Sequence, residues 1–276
     1  MSLFLAYSST VFGTSLSWYA VFVLTGAIAA YLFTKHFYKK DPRSKNYPGL
    51  IDDLFLIVFP AGILGARLWF VLSRWDFYGS NLVEILKLWN GGLAIQGGVM
   101  GGVIAGVIFH KVKKLKFPLL KLFDIAIPNI LIAQSIGRWG NFFNQEVYGA
   151  CVSRNTLNFI PNFILNNMEV CGIGEVAQPL FLYESIINFI GFILISIIIR
   201  RFVKIIIDGE LTALYLIWYG LVRLIMEPLR NEMYIMRVFG NLSLSITTSV
   251  LFIITGVALI LYLRLKPYFK VKQGGR

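Results

Sequence analysis

Charge is what this sequence has least of. Of its 276 residues only 14% are Asp, Glu, Lys or Arg, while 57% are hydrophobic, and the mean hydropathy is +0.70. A soluble domain carries about a quarter of its residues as charges, so this composition excludes a soluble globular class. Histidine and cysteine are nearly absent, with two of each. His36 and His110 stand at helix ends, where a snorkelling ring is the expected role. Cys151 and Cys171 share one loop; they can pair as a disulfide on an oxidising side of the membrane or remain two thiols. Neither has a histidine beside it. No metal-ligand spacing occurs, so no metal and no cofactor is expected.

What is present comes in long apolar runs. About 20 such residues span the hydrocarbon core as a helix, and seven runs qualify: 16–33, 54–72, 91–109, 119–139, 180–199, 211–226 and 242–263. The third is rich in glycine and the fourth is interrupted by Pro128. No Lys or Arg precedes the first run, so it lacks the charged n-region of a cleaved signal peptide. The expected fold is all-α: one polytopic membrane domain over residues 1–276, with 141–179 as an extracytoplasmic loop that could form a small head.

The formal charge of +12 would suggest nucleic acid in a soluble protein, but its distribution argues otherwise. Eighteen Lys and Arg residues fall in the loop after the first run, in every second loop from there, and in the C-terminal tail. The alternate loops hold only Arg74, Lys87, Arg154, Arg230 and Arg237. This is a positive-inside pattern. It puts the N-terminus outside and the C-terminus in the cytoplasm, and it leaves the basic loops to topology and anionic lipid.

Ionisable residues within membrane helices are costly and mark functional sites. Arg67, Arg138 and Arg223 fall inside or at the ends of apolar runs. With the orientation above, they lie toward the outer side, as do Trp18, Tyr19, Gln96, Tyr183 and Glu184, which suggests one site open to the outer leaflet. Asp124 is the exception, 14 residues before Arg138 and so about 21 Å away along a helix; Lys121 is its expected partner. Tyr219, Arg223, Glu227 and Arg230 are spaced i, i+4, i+8 and i+11, within about 80° on one helix face. The stripe is either a salt-bridge ladder or part of the site. Gly91 to Gly102 reads first as close helix packing. Gln96 within it is either interhelical glue or a substrate contact, because an amide in lipid requires a partner.

After the fourth run, Gly137-Arg138-Trp139-Gly140-Asn141-Phe142-Phe143-Asn144-Gln145-Glu146-Val147-Tyr148-Gly149 is polar and punctuated by glycine. An arginine here can grip a phosphate bidentately, and the glycines allow close backbone approach. Asn141, Asn144 and Glu146 can orient hydroxyls or a second cation.

This segment closely resembles the signature of the prolipoprotein diacylglyceryl transferases, G-R-x-G-N-F-x-N-x-E-x-x-G, at every fixed position. Trp18-Tyr19, Gly65-Ala66-Arg67, the block from Gln178 to Glu184, and the stripe from Tyr219 to Arg230 are similar to the family's other blocks, in the same order. The resemblance implies transfer of a diacylglyceryl group from phosphatidylglycerol to the lipobox cysteine of a prelipoprotein signal peptide. A thioether forms and glycerol phosphate leaves, in a bacterial cytoplasmic membrane, with membrane lipid and no nucleic acid as partner. It implies Arg223 and Tyr219 as essential active-site residues and Arg138 as headgroup ligand, with Tyr19, Asn141, Glu146, Gly149, Glu227 and Arg230 as site residues around the substrate. By their own chemistry, Glu146 is a third catalytic candidate, since it or Tyr219 could relay a proton, and Asn144 and Gln96 are further candidates for substrate contact. Some members carry a histidine, proposed as base, at the Gln96 position. A glutamine amide does not titrate, so that role is elsewhere or is not held by a single residue. The rival readings are a transporter, which would want midplane sites and repeats, and a non-catalytic scaffold, which would not need arginines in apolar helices.

Overall fold

The computed structural model describes residues 17–87, 92–203, 205–235, 237–238 and 242–273, without the side chains of 95, 96, 234, 237, 238, 242 and 267–273. Its long helices are α1 (Trp18–Lys40), α2 (Leu50–Ser73), α3 (Ile95–Val112), α4 (Leu119–Asn144), α5 (Leu180–Phe202), α6 (Glu210–Met226) and α7 (Leu244–Gln273). Six of them are long and apolar enough to cross a membrane. The exception is α3, where the run of 91–109 yields the shorter apolar stretch Gly97–Val112. The protein is therefore a mostly helical, polytopic membrane protein. Helix α4 tightens into a 3-10 turn at Ile127–Asn129, where Pro128 removes a backbone donor. The helices overrun the apolar runs. Most usefully, α4 continues through Gly140 to Asn144 and ends only at Gln145, which takes the left-handed conformation at φ 51°.

The chain divides into two compact units, residues 34–122 and residues 1–33 with 123–276. In the first, α2 and α3 pack through their small residues. A Cβ added at Gly101 would come within 2.6 Å of the Ala61 carbonyl, and one at Gly98 within 3.4 Å of that of Gly62. The glycine-rich stretch thus serves close packing, which brings helix backbones together where no side chain intervenes. Arg67 is 5% exposed. Its Nε donates to the Ile85 carbonyl at 2.9 Å, Nη1 to Gly92 at 3.1 Å, and Nη2 to Glu84 and, at 3.3 Å, Lys87. Gly92 has φ 76°, and a Cβ there would run into the guanidinium at 2.6 Å. His110 does not snorkel; its Nε2 lies 2.7 Å from the Phe117 carbonyl and fastens the loop after α3. In the loop after α1, Asp41 accepts from the backbone and the guanidinium of Arg43, and Lys121 stands 3.8 Å away.

The second unit holds α1 as far as Phe33, α4 from Phe123 onward, and α5 to α7. Asp124, 1% exposed, accepts from the amides of Gly209 and Thr212 and from the Thr212 hydroxyl at 2.6–2.8 Å. It thereby caps the start of α6, satisfying amides that a helix N-terminus leaves open. Its backbone carbonyl accepts from Arg200. Glu210 at the same end of α6 pairs with Arg264 of α7, while Arg223 near the far end reaches Ser245 at the start of α7. Helices α6 and α7 are therefore antiparallel, packed through Gly220 and Gly256. Helices α4 and α6 run the same way, and their far ends meet the beginning of α5.

Between α4 and α5 the chain forms a small folded region. Strands β1 (Cys151–Ser153) and β2 (Glu175–Ala177) pair antiparallel, and the Cys151–Cys171 disulfide closes the loop, which settles the alternative the sequence left open. Leu157, Ile160, Ile164, Leu165, Met168 and Val176 bury themselves against Phe142 and Phe181 from the helix ends below.

Candidate active site

Four segments converge where α4 and α6 end and α5 and α7 begin. Helix α4 brings Arg138 and Asn141, α5 brings Glu184 in its second turn, and α6 brings Arg223. Beyond α6, Pro228 turns the helix into the 3-10 segment Glu227–Leu229 and then into extended backbone at Arg230. That change of winding lets both Glu227 and Arg230 turn back to the same place as Arg223.

Glu184 lies at the centre. One carboxylate oxygen pairs with Nη2 of Arg138; the other stands 3.3 Å from Nη1 of Arg223 and 3.6 Å from Nη2 of Arg230. Glu227 completes the ring. Its Oε2 is 3.3 Å from Nη2 of Arg223 and 3.9 Å from Nε of Arg230, and its Oε1 accepts from the Ser243 hydroxyl at 2.8 Å. Both carboxylates are 2% exposed, while the arginine side chains keep 23% (Arg138), 12% (Arg223) and 10% (Arg230). Burial, and then the charge of Arg223, pull the Arg230 guanidinium below its ordinary value, the mark of crowded positive charge. Three guanidiniums thus face two carboxylates, and Arg138 is the most open member.

The signature loop extends from this cluster. Nη1 of Arg138 donates to Asn141 Oδ1 at 3.2 Å; Asn141 Nδ2 donates to Glu146 at 3.1 Å, and Asn144 Nδ2 to the same oxygen at 3.4 Å. Tyr19 lies close enough to feel the charges of both Glu146 and Arg138. A Cβ at Gly140 would meet the Tyr19 Cα at 3.1 Å, so this glycine lets α1 rest on α4 and bring Tyr19 in; it is not a helix stop. Gly149 has a different reason. Its amide donates to the Gln178 carbonyl, and a Cβ would stand 2.8 Å from both the Gln178 side chain and the Leu229 carbonyl. The Ala150 amide donates to that same carbonyl, and the Asn231 amide to Tyr148. Backbone bonds therefore tie the signature loop to the segment that carries Arg230.

Of the residues expected from the sequence, Arg138, Asn141, Asn144, Glu146, Tyr19, Arg223, Glu227 and Arg230 come together here. Gly149 acts through the backbone. Tyr219 lies one turn back along α6, its ring against Tyr215 and Phe252 at 6.1 and 5.7 Å; no contact with the ionic cluster is among its described ones. The side chain of Gln96 lies outside the described residues. Arg67, expected at a common site, directs the bonds described above to carbonyls of its own unit. Sequence reasoning put Glu184 on the side of the site without giving it a specific role, and gave none to Ser243 or Ser245. Glu184 had a signal: a carboxylate in the second turn of an apolar helix demands cations. The serines had none, because the turn that delivers them is set by tertiary structure.

The sequence matches the family described as Prolipoprotein diacylglyceryl transferase over residues 8–262. It is 44% identical over 261 residues to the phosphatidylglycerol–prolipoprotein diacylglyceryl transferase of Streptococcus sanguinis strain SK36, spanning 93% of this chain and 95% of that protein. The protein of the same name from Streptococcus pneumoniae strain ATCC 700669 is likewise 44% identical, over 94% of this chain and 95% of its own length.

Proposed function

The chain belongs to the prolipoprotein diacylglyceryl transferase family, and from that premise we propose that it moves the diacylglyceryl group of phosphatidylglycerol onto the cysteine thiol of a prelipoprotein. The cluster of Arg138, Arg223 and Arg230 around buried Glu184 and Glu227 carries this reading. Displacing a phosphate from carbon leaves new negative charge on the departing oxygen, and pre-placed guanidiniums in a low-dielectric setting stabilise it. Arg138 holds the headgroup phosphate, and Arg223 and Arg230 face the oxygen that departs. The cysteine sulfur attacks the terminal glyceryl carbon, the carbon–oxygen bond breaks, and glycerol phosphate leaves.

The thiol proton needs an acceptor. A thiol titrates near ~8.5, and neighbouring cations favour the thiolate, so no single strong base is required. The bonds from Asn141 and Asn144 to Glu146 support Glu146 as the proton relay over Tyr219, whose ring is packed against two other aromatics. Tyr19 lines the same edge. The lipobox is the acceptor's recognition feature, and the folded region between residues 141 and 179 guides the peptide to the site. In this reading Gln96 contacts substrate without titrating.

The whole chain is one membrane domain of seven spans, α3 included, in the bacterial cytoplasmic membrane. The N-terminus is outside, the C-terminus is inside, and the site opens to the outer leaflet. The eighteen-to-five bias of basic residues between alternate loops supports this orientation.

The test is glycerol phosphate release by purified protein in phosphatidylglycerol-containing detergent, with a lipobox peptide and its Cys→Ser twin, beside Arg223→Ala. Release that needs the cysteine and is lost in the variant is expected. No release from folded wild type would overturn the proposal. A steep ascending limb in the pH–rate profile, abolished by one substitution, would restore a single essential base.

A further inference from the structure

The charges in contact within the cluster do not cancel. Three guanidiniums meet two carboxylates, leaving one positive charge. A phosphodiester headgroup carries one negative charge; a phosphate monoester carries about 1.5 to 2 at neutral pH, because its second proton leaves near pH 6. The cluster therefore matches the substrate and is undercharged for the product. Glu184 sets this balance. Among the described residues it is the one carboxylate that contacts all three arginines, including Arg138, the most exposed. Glu227 touches only Arg223 and Arg230 and is further fixed by Ser243. Glu146 is one amide removed, beyond Asn141.

We propose that Glu184 is a specificity-determining positioning residue: it competes with phosphate for the three arginines, so that the site holds a phosphodiester lipid and ejects a phosphate monoester. The inference rests on the transferase reading above. The balance is closed at each stage. The diester enters with one negative charge against one net positive. The thiol proton passes to the relay as the carbon–sulfur bond forms. The carbon–oxygen bond breaks with its electron pair on the phosphate, and the departing glycerol phosphate now carries the second negative charge. Glu184 reclaims Arg138 and the product leaves. The same competition discriminates against lipids whose headgroup is a bare phosphate monoester.

The test compares wild type, Glu184→Gln and Glu184→Asp in the release assay, varying phosphatidylglycerol and adding either glycerol phosphate or phosphatidic acid as inhibitor. In Glu184→Gln the net charge rises to two. KM for phosphatidylglycerol is expected to fall about threefold, inhibition by both monoesters to strengthen tenfold or more, and kcat to fall as product lingers. Glu184→Asp keeps the charge but retracts it, and is expected between wild type and Glu184→Gln in all three constants. If the glutamine variant does not fold, Glu184→Asp against wild type decides the matter by the same three directions of change. A residue that merely braced the arginines would raise KM on substitution and leave the monoester-to-diester ratio unchanged; either result overturns the inference. Failure of the transferase reading looks different, since wild type itself would then release no glycerol phosphate.

Discussion

Arg67 and Arg138 stand in similar sequence settings, each within two residues of a glycine in the last third of an apolar helix, yet the structure uses them in opposite ways. Arg67 is 5% exposed, and its guanidinium fans out to the carbonyls of Glu84, Ile85, Lys87 and Gly92. Those carbonyls belong to the chain's own backbone and cannot be exchanged for a ligand without unfolding the loop. Arg138 keeps 23% of its side chain exposed and bonds a carboxylate and an amide, both of them side chains that can move aside for a phosphate. The lesson is about partners. An arginine in an apolar helix is a strong signal that something must satisfy it. Whether that something is backbone or an exchangeable side chain separates a structural clamp from a binding group.

The largest effect that would break this comparison is at Arg138. Arg138→Gln is expected to lower kcat/KM by about 10²–10³, the loss typical of removing one group that stabilises a developing oxyanion. Arg223 and Arg230 still neutralise Glu184, so the melting temperature is expected to shift little. Arg138→Lys recovers only part of the loss, because an ammonium cannot reproduce the planar fork. Full activity in Arg138→Gln would move Arg138 to the clamp class.

Arg67→Gln should give the reverse. Carbonyls that lose a charged donor cost about 1–3 kcal/mol of stability, read as a lower melting temperature and faster proteolysis between residues 74 and 87. Turnover per folded molecule is expected to stay within about threefold of wild type, since the change removes a clamp and not a ligand group. Turnover lost as in Arg138→Gln, at an unchanged melting temperature, would show that both arginines serve the chemistry.

Much of this was legible in the residues. The body of every apolar run is helical, with only described residues at the run ends, 92–94 and the short strand Leu242–Ser243 among them, left outside the helices, because hydrocarbon length and backbone satisfaction leave a spanning segment no other choice. The 3.6-residue spacing placed Arg223 and Glu227 on one face, and they meet at 3.3 Å. The same spacing put Arg230 with them, and it does join the cluster, but through the 3-10 turn and extended backbone after Pro228 and not along a continuous helix face. The glycines of the signature were expected to allow close backbone approach, but that Gly140 is a contact surface for Tyr19 depends on what packs opposite. The Cys151–Cys171 pairing was undecidable by spacing. Glu184 carried a signal in its burial cost, but nothing local says that three arginines from two other segments converge on it.

The smallest effect tests what the cluster's bonds are worth in another setting. Asp41 and Arg43 form the same kind of pair in a loop outside the spans, at 2.8 Å, with the Arg43 side chain 41% exposed. The side-chain bond from Arg43 holds the Asp41 carboxyl below its usual range. A carboxyl whose folded value is depressed stabilises the fold fully above its unfolded value, about 3.9, and loses that contribution as pH falls through the lower folded value. Solvent screening keeps the contribution at about 0.5–1 kcal/mol. Asp41→Asn is therefore expected to lower the melting temperature by a degree or two at pH 7, with the gap to wild type closing below about pH 4. Removing one partner of a buried pair costs about 3–5 kcal/mol by comparison, so Glu227→Gln should exceed Asp41→Asn several-fold in stability. Equal shifts would mean that the arginine cluster is hydrated like a surface pair, and its grip on a phosphate would then be too weak for the selectivity assigned to it.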